Sequence, residues 1–97
     1  MDISLDTSGN GVVVSLVGRL DSITSPAAQS ELETLLENHK GPVTLDCAGL
    51  EYLSSAGLRV LLLLAKNKRN VLTVAGLRDN VRDVINIAGF SLIFKVK

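Results

Sequence analysis

No tryptophan, one cysteine, one histidine and only three aromatic side chains (Tyr52, Phe90 and Phe94) occur among the 97 residues of this chain. Each shortage removes a class of function. Cys47 alone cannot form an internal disulfide, and with His39 alone it cannot complete a four-ligand zinc site. A catalytic triad would have His39 as its only histidine base, and the Gly-x-Ser-x-Gly elbow that presents such a nucleophile is missing. Neither Gly-x-x-x-x-Gly-Lys-Ser/Thr nor Gly-x-Gly-x-x-Gly is present, so no phosphate-cradling loop is expected. The chain therefore reads as a protein without enzymatic activity, cofactor or metal.

Charge of one sign is also lacking. Ten Lys and Arg balance ten Asp and Glu. A nucleic-acid binder carries a basic excess, because phosphate contacts supply most of its affinity. No direct nucleic-acid partner is expected. The longest apolar run, Val60 to Ala65, falls far short of the roughly 20 residues that a membrane span needs. The start, Met1-Asp2-Ile3-Ser4-Leu5-Asp6, has no basic region followed by an apolar stretch. The expectation is a soluble, cytoplasmic chain.

What is present is enough for one folded domain. Hydrophobic residues make up 46 %. A chain of this length buries roughly 65 % of the surface that its unfolded form exposes. Ile3 to Leu5 and Val12 to Leu20 read as strands around the turn Ser8-Gly9-Asn10-Gly11. Ser25-Pro26 reads as a cap and first helical position. Leu32, Leu35, Leu36 and His39 follow at helical spacing, and Gly41-Pro42 ends that helix. Val43 to Cys47 is a short buried strand, with Cys47 a small core residue. A second helix starts near Ser54 or Ser55 and runs to about Asn67, with Lys66, Lys68 and Arg69 at its end. Val71 to Ala75 is a strand. Asp79 or Asn80 caps a third helix carrying Val81, Val84, Ile85 and Ala88, closed by Gly89, and Leu92 to Val96 is a final strand. The order β-β-α-β-α-β-α-β predicts an α/β domain with a mixed, mostly parallel sheet.

The segment from Asp46 to Leu62 is unusual in two ways. Two serines stand where a helix begins. A serine oxygen there caps a free backbone N–H, contributing about 1 kcal/mol. A phosphoserine, with about −1.5 to −2 charges, also suits the positive end of a helix. The following helix is apolar nearly all round, from Leu58 through Val60, Leu61, Leu62, Leu63, Leu64 and Ala65. Either neighbouring helices cover both flanks, or an apolar patch faces a partner. Ser55 and Arg59, at i and i+4, share a face of this helix, so Arg59 either pairs with a phosphate on Ser55, meets a partner, or is simply solvated.

Tyr52-Leu53-Ser54-Ser55-Ala56-Gly57-Leu58-Arg59-Val60-Leu61-Leu62 resembles the signature of STAS domains, specifically of bacterial anti-sigma factor antagonists. Gly18-Arg19-Leu20-Asp21-Ser22 is a second match, and Ile87-Ala88-Gly89-Phe90 with Ile93-Phe94-Lys95-Val96 a third. The resemblance spans residues 1–97 and implies a partner-switching cycle. An unphosphorylated antagonist binds an anti-sigma factor serine kinase and so frees a sigma factor. Phosphorylation by that kinase releases it, and a serine phosphatase resets it. The modified position, two residues before Gly-Leu, is Ser55 here, with Ser54 the alternative. Asp21 matches an acidic position near the kinase-facing surface, and Ser22 lies beside it. Partner contact is thus expected at Asp21, Ser22, Ser54, Ser55, Ala56, Gly57 and Arg59. Family members commonly continue into a C-terminal helix, whereas this sequence stops at Lys97, which predicts uncovered apolar surface and self-association. Two other readings keep the fold: a STAS subunit of a membrane transport complex that acts without phosphorylation, and a nucleotide or small-ligand sensor.

Overall fold

The computed structural model describes residues 1–8, 11–37, 39, 41–67, 72–87 and 95–96. Six strands and three helices are found there. In chain order they are β1 (Asp2–Ser8), β2 (Gly11–Leu20), α1 (Ser25–Leu36), β3 (Val43–Asp46), β4 (Leu50–Leu53), α2 (Ser55–Asn67), β5 (Leu72–Ala75), α3 (Asp79–Ile87) and β6 (Lys95–Val96). The sheet runs β1-β2-β3-β5-β6, with β4 beside β2. Among the described residues the β1–β2 pair is antiparallel, and β2–β3, β2–β4, β3–β5 and β5–β6 are parallel. This is the mixed α/β sheet expected from the alternation of strands and helices.

The expected order needs one correction. β4 is an additional strand in a stretch that carries no strand signal of its own. Leu50-Glu51-Tyr52-Leu53 is four residues long and buries only its two ends. It is a strand because β2 is long enough to serve two partners. Val12 to Ser15 of β2 pair with β3, and Gly18 to Leu20 pair with β4. The register shifts between Gly18 and Arg19. Gly18 sits there with φ of 114°, a conformation open to glycine and strained for other residues.

The core follows the apolar periodicity. Val14, Leu16 and Leu20 of β2, Leu45 of β3 and Val74 of β5 are sealed from solvent. Helix α1 presents Ala28, Leu32 and Leu36 at i, i+4 and i+8, and α3 presents Val81 and Ile85. Each fully buried leucine contributes roughly 1.5–3 kcal/mol. Leu35, which shares the helical spacing of Leu32 and Leu36, falls at the edge of the buried stripe and stays 39 % exposed. Cys47 is buried as expected, and burial, with the nearby Asp46 carboxylate, pushes its thiol up to about 12. His39, half-buried just past α1, donates its backbone N–H to the Leu36 carbonyl at 3.1 Å. The tip of the first turn, the end of the third helix at Ala88 and Gly89, and most of the last strand lie outside the described residues.

The start of α1 differs from the Ser25 cap. Thr24 is the N-cap residue, Ser25 is the first helical residue, and Pro26 keeps its place in the first turn. Thr24 makes no capping bond with its side chain. Its hydroxyl donates instead to the Arg19 carbonyl at 2.8 Å and accepts the Asp21 N–H at 3.0 Å. A turn before the helix has claimed the group that would have capped it.

Candidate functional site

Because β2 and β4 are parallel neighbours, their C-terminal ends lie side by side. Arg19 is paired with Tyr52 and Leu20 with Leu53. Beyond those pairs the chain leaves each strand into a helix. The β2–α1 turn and the start of α2 are thereby neighbours, latched where the Ser54 N–H donates to the Leu20 carbonyl at 3.0 Å. Two sequence segments that matched the family signature separately meet at this place.

The two serines are not equivalent. Ser54 is half-buried, and its Oγ accepts the Gly57 N–H at 3.2 Å. It is the cap of α2, and its backbone carbonyl takes the first helical bond, from Leu58, at 2.8 Å. Ser55 is the first residue of α2 and is exposed. Its hydroxyl stands at the positive end of a 13-residue helix with no acidic side chain in its first turn.

Gly57, expected among the partner-contacting residues, is buried. A Cβ there would lie 2.5 Å from the Leu20 carbonyl oxygen, 2.8 Å from Leu20 Cγ and 2.9 Å from Leu53 Cδ1. The glycine lets the first turn of α2 rest directly on β2 and β4. Its close approach sets where the two serines stand.

Asp21 shapes the neighbouring turn. Its Oδ1 accepts the backbone N–H groups of Thr24 at 3.1 Å and Ile23 at 3.0 Å. Its Oδ2 lies 3.7 Å from Arg19 Nε. The Thr24 N–H above all holds this carboxyl below its ordinary range; burial, next in size, opposes it, and the Ile23 N–H, the Thr24 hydroxyl and Arg19 add lesser lowering effects. The Arg19 guanidinium also lies over the Tyr52 ring, 4.3 Å from its centre. This stack has no local sequence signal. It follows from the β2–β4 pairing, which places Arg19 opposite Tyr52.

Two hollows flank the first turns of α2. A notch of about 220 Å³ between α1 and α2 is lined by Ser22, Ser25, Pro26, Gln29, Ala56, Arg59 and Val60. A shallow groove of about 470 Å³ runs along α2 itself, lined by Ser55, Leu58, Arg59, Leu62, Leu63 and Lys66. Those positions fall at i, i+3, i+4, i+7, i+8 and i+11, one face of the helix. An outward helix face is ordinarily polar; this one carries three leucines beside Arg59, with a serine at one end and a lysine at the other. α1 packs against one flank, and the other leaves Leu62 and Leu63 half-buried in the groove. Leu58, Leu62, Leu63 and Lys66 line the candidate site in addition to the residues expected from the signature. The all-round apolarity of the segment was the trace of the three leucines in the sequence, and the basic helix end that of Lys66.

Ser22, Ala56 and Arg59 are brought together at the notch, and Ser55 joins Arg59 at the groove. Asp21 lines neither hollow. No group of three or more His, Cys, Asp or Glu side chains converges among the described residues. No helix among them is long and apolar enough to cross a membrane.

Comparison with known proteins agrees with this architecture. Residues 3–94 match a family model described as "Mlab, STAS domain". BtrV of Bordetella bronchiseptica, a protein named as an anti-sigma factor antagonist, is 36 % identical over 99 residues, spanning 99 % of this chain and 85 % of BtrV. The crystal structure of an anti-sigma factor antagonist from Mycobacterium paratuberculosis superposes with a TM-score of 0.89 at 21 % identity, over 98 % of this chain and 83 % of that one. SpoIIAA, a Bacillus cell fate determinant, is similar in its phosphorylated form, with a TM-score of 0.70 at 16 % identity over 99 % of this chain and 91 % of that one. With the family model covering nearly all of its length and a relative this similar across it, the chain belongs to the STAS-domain family.

Proposed function

We propose that this chain is an anti-sigma factor antagonist, a binding module rather than an enzyme, whose affinity for a kinase-type anti-sigma factor falls when Ser55 is phosphorylated. One observation carries the choice of residue. The Ser54 hydroxyl is engaged as the helix cap, while Ser55 is exposed at the first position of α2 beside an apolar groove. The likeness to SpoIIAA, whose phosphorylated form is known, supports the same reading.

In the modification step, Ser55 Oγ bonds to the γ-phosphorus of ATP held by the kinase. The bond from that phosphorus to the β–γ bridging oxygen breaks, and ADP leaves. The hydroxyl proton passes to a base of the kinase, since neither a histidine nor a carboxylate lines the groove or the notch. The new group carries about −1.5 to −2 charges. The positive end of α2 accepts that charge without unfolding the domain. A partner seated on Leu58, Leu62 and Leu63 would have to bury it, which is costly unless it is paired. Release follows from that cost, and a serine phosphatase restores the hydroxyl. Ser22, Ala56 and Arg59, which line the adjoining notch, form the rest of the contact surface together with the turn that Asp21 shapes, and the cycle runs in the cytoplasm.

The test is incubation with the cognate kinase and ATP, followed by mass spectrometry of the digested protein. Phosphate on Ser55 is the expected result. An unmodified chain that co-purifies with a transporter complex would favour the structural-subunit reading instead.

A further inference from the structure

Arg59 is unlike the other arginines whose contacts are described. Arg19 is held by the Asp21 carboxylate and the Tyr52 ring, and Arg78 donates through Nε to the Ala48 carbonyl at 3.1 Å. Both tie strands and turns together. Arg59 is exposed on α2 and makes no hydrogen bond or ion pair among the described residues. It lies where the two hollows meet, lining the groove with Ser55 and the notch with Ser22 and Ala56. No carboxylate lines either one to neutralise it. The one other cation in the groove, Lys66, is three helical turns from Ser55.

We propose that Arg59 is the phosphate clamp of this chain: its guanidinium pairs with the phosphoryl group on Ser55 and draws it over the mouth of the leucine groove. The inference rests on Ser55 being the phosphoacceptor. Residues at i and i+4 of a helix have Cβ atoms about 5–6 Å apart, well within the combined reach of phosphoserine and arginine. The planar fork of an arginine matches two phosphate oxygens at once, which a lysine does not. Helix dipole and guanidinium then act on the same anion from two sides. The dipole attracts the phosphate to the end of α2. Arg59 decides its direction, toward Leu58 and Leu62 rather than outward to solvent. The phosphate thus covers the apolar contact surface as well as adding charge to it. Arg59 is a positioning residue in this account and takes no part in the transfer step.

The test is made independent of any kinase by installing phosphoserine at position 55 of the full chain through a recoded codon. The second ionisation of the phosphate is then followed by 31P NMR against pH. A nearby cation favours the dianion, so its pKa in the parent protein is expected about half a unit below that in Arg59→Ala. Arg59→Gln, which keeps most of the side-chain volume, should titrate like Arg59→Ala. Arg59→Lys should recover part of the shift. Matching amide spectra across the series show that the fold is unchanged, as expected for an exposed residue. Parent and Arg59→Ala curves that overlay to within about 0.1 unit overturn the proposal, because a merely structural arginine would not move this ionisation. The two readings fail separately. A kinase that leaves Ser55 unmodified counts against the function proposed above, while overlaid titration curves count against the clamp alone.

Discussion

Replacing Gly57 by alanine sets two effects of known size against each other. On helix propensity alone the change is favourable, since alanine in a helix interior is about 1 kcal/mol better than glycine. The packing says the opposite. The added Cβ would lie 2.5 Å from the Leu20 carbonyl oxygen, 2.8 Å from Leu20 Cγ and 2.9 Å from Leu53 Cδ1. The first of these is backbone at the end of the β2–β4 pair, already held by the Ser54 N–H, and cannot swing aside. The other two belong to leucines that are 0 % and 2 % exposed. Forcing a methyl group into such a site costs about 2–4 kcal/mol, at or slightly above the usual range for overpacking because backbone is involved. The net expectation is a loss of about 1–3 kcal/mol. For a domain of this size that lowers Tm by roughly 5–20 °C, readable by circular dichroism or a urea midpoint. The strain falls on the first turn of α2, so the Ser54 cap and the exposed position of Ser55 should be disturbed as well. A Gly57→Ala protein as stable as the parent, or more so, would refute the claim that this glycine is required for close approach.

Three further expectations come from the same region and from the core. Ser54→Ala removes a cap and should cost about 1 kcal/mol of stability, while Ser55 remains open to modification; loss of phosphorylation with the fold intact would contradict the division of labour between the serines. Asp21, whose carboxyl is held low by the Thr24 and Ile23 N–H groups, stabilises the fold above its unfolded pKa and loses that effect as pH falls through the lower folded value. The stability gap between the parent and Asp21→Asn, measured by urea unfolding from about pH 7 to about pH 2, should therefore shrink toward acid, and a gap independent of pH would count against it. Cys47, buried and with its thiol near 12, should resist alkylation at about pH 8 in the native protein and react once it is unfolded, and equal rates in both states would contradict its burial.

Elements with their own periodicity were legible in the sequence. Val81 and Ile85 of α3, the alternating core residues of β2 and the start of α2 stand where local pattern put them. β4 was not legible, because four residues with two buried ends are a strand only beside the free end of a long β2. The cap at Ser25 failed for a related reason: Asp21 and Thr24 build a turn whose hydrogen bonds depend on the strand ending at Leu20. Of the site, the serines and Arg59 could be read from spacing and family likeness. That Ser54 caps and Ser55 is exposed could not, since either oxygen suits a helix start and the choice is made by the exact residue at which α2 begins. The burial of Gly57 was likewise set by Leu20, 37 positions earlier in the chain.

If charge at Ser55 governs binding, paired substitutions at that position will separate the charged from the neutral side chain. The affinity of the kinase-type anti-sigma factor is measured for Ser55→Ala and Ser55→Asp side by side by calorimetry. The account predicts that Ser55→Ala binds like the parent protein and that Ser55→Asp binds at least about tenfold more weakly, the cost of burying one unpaired carboxylate against the leucine groove. Equal affinities for the two variants would contradict it.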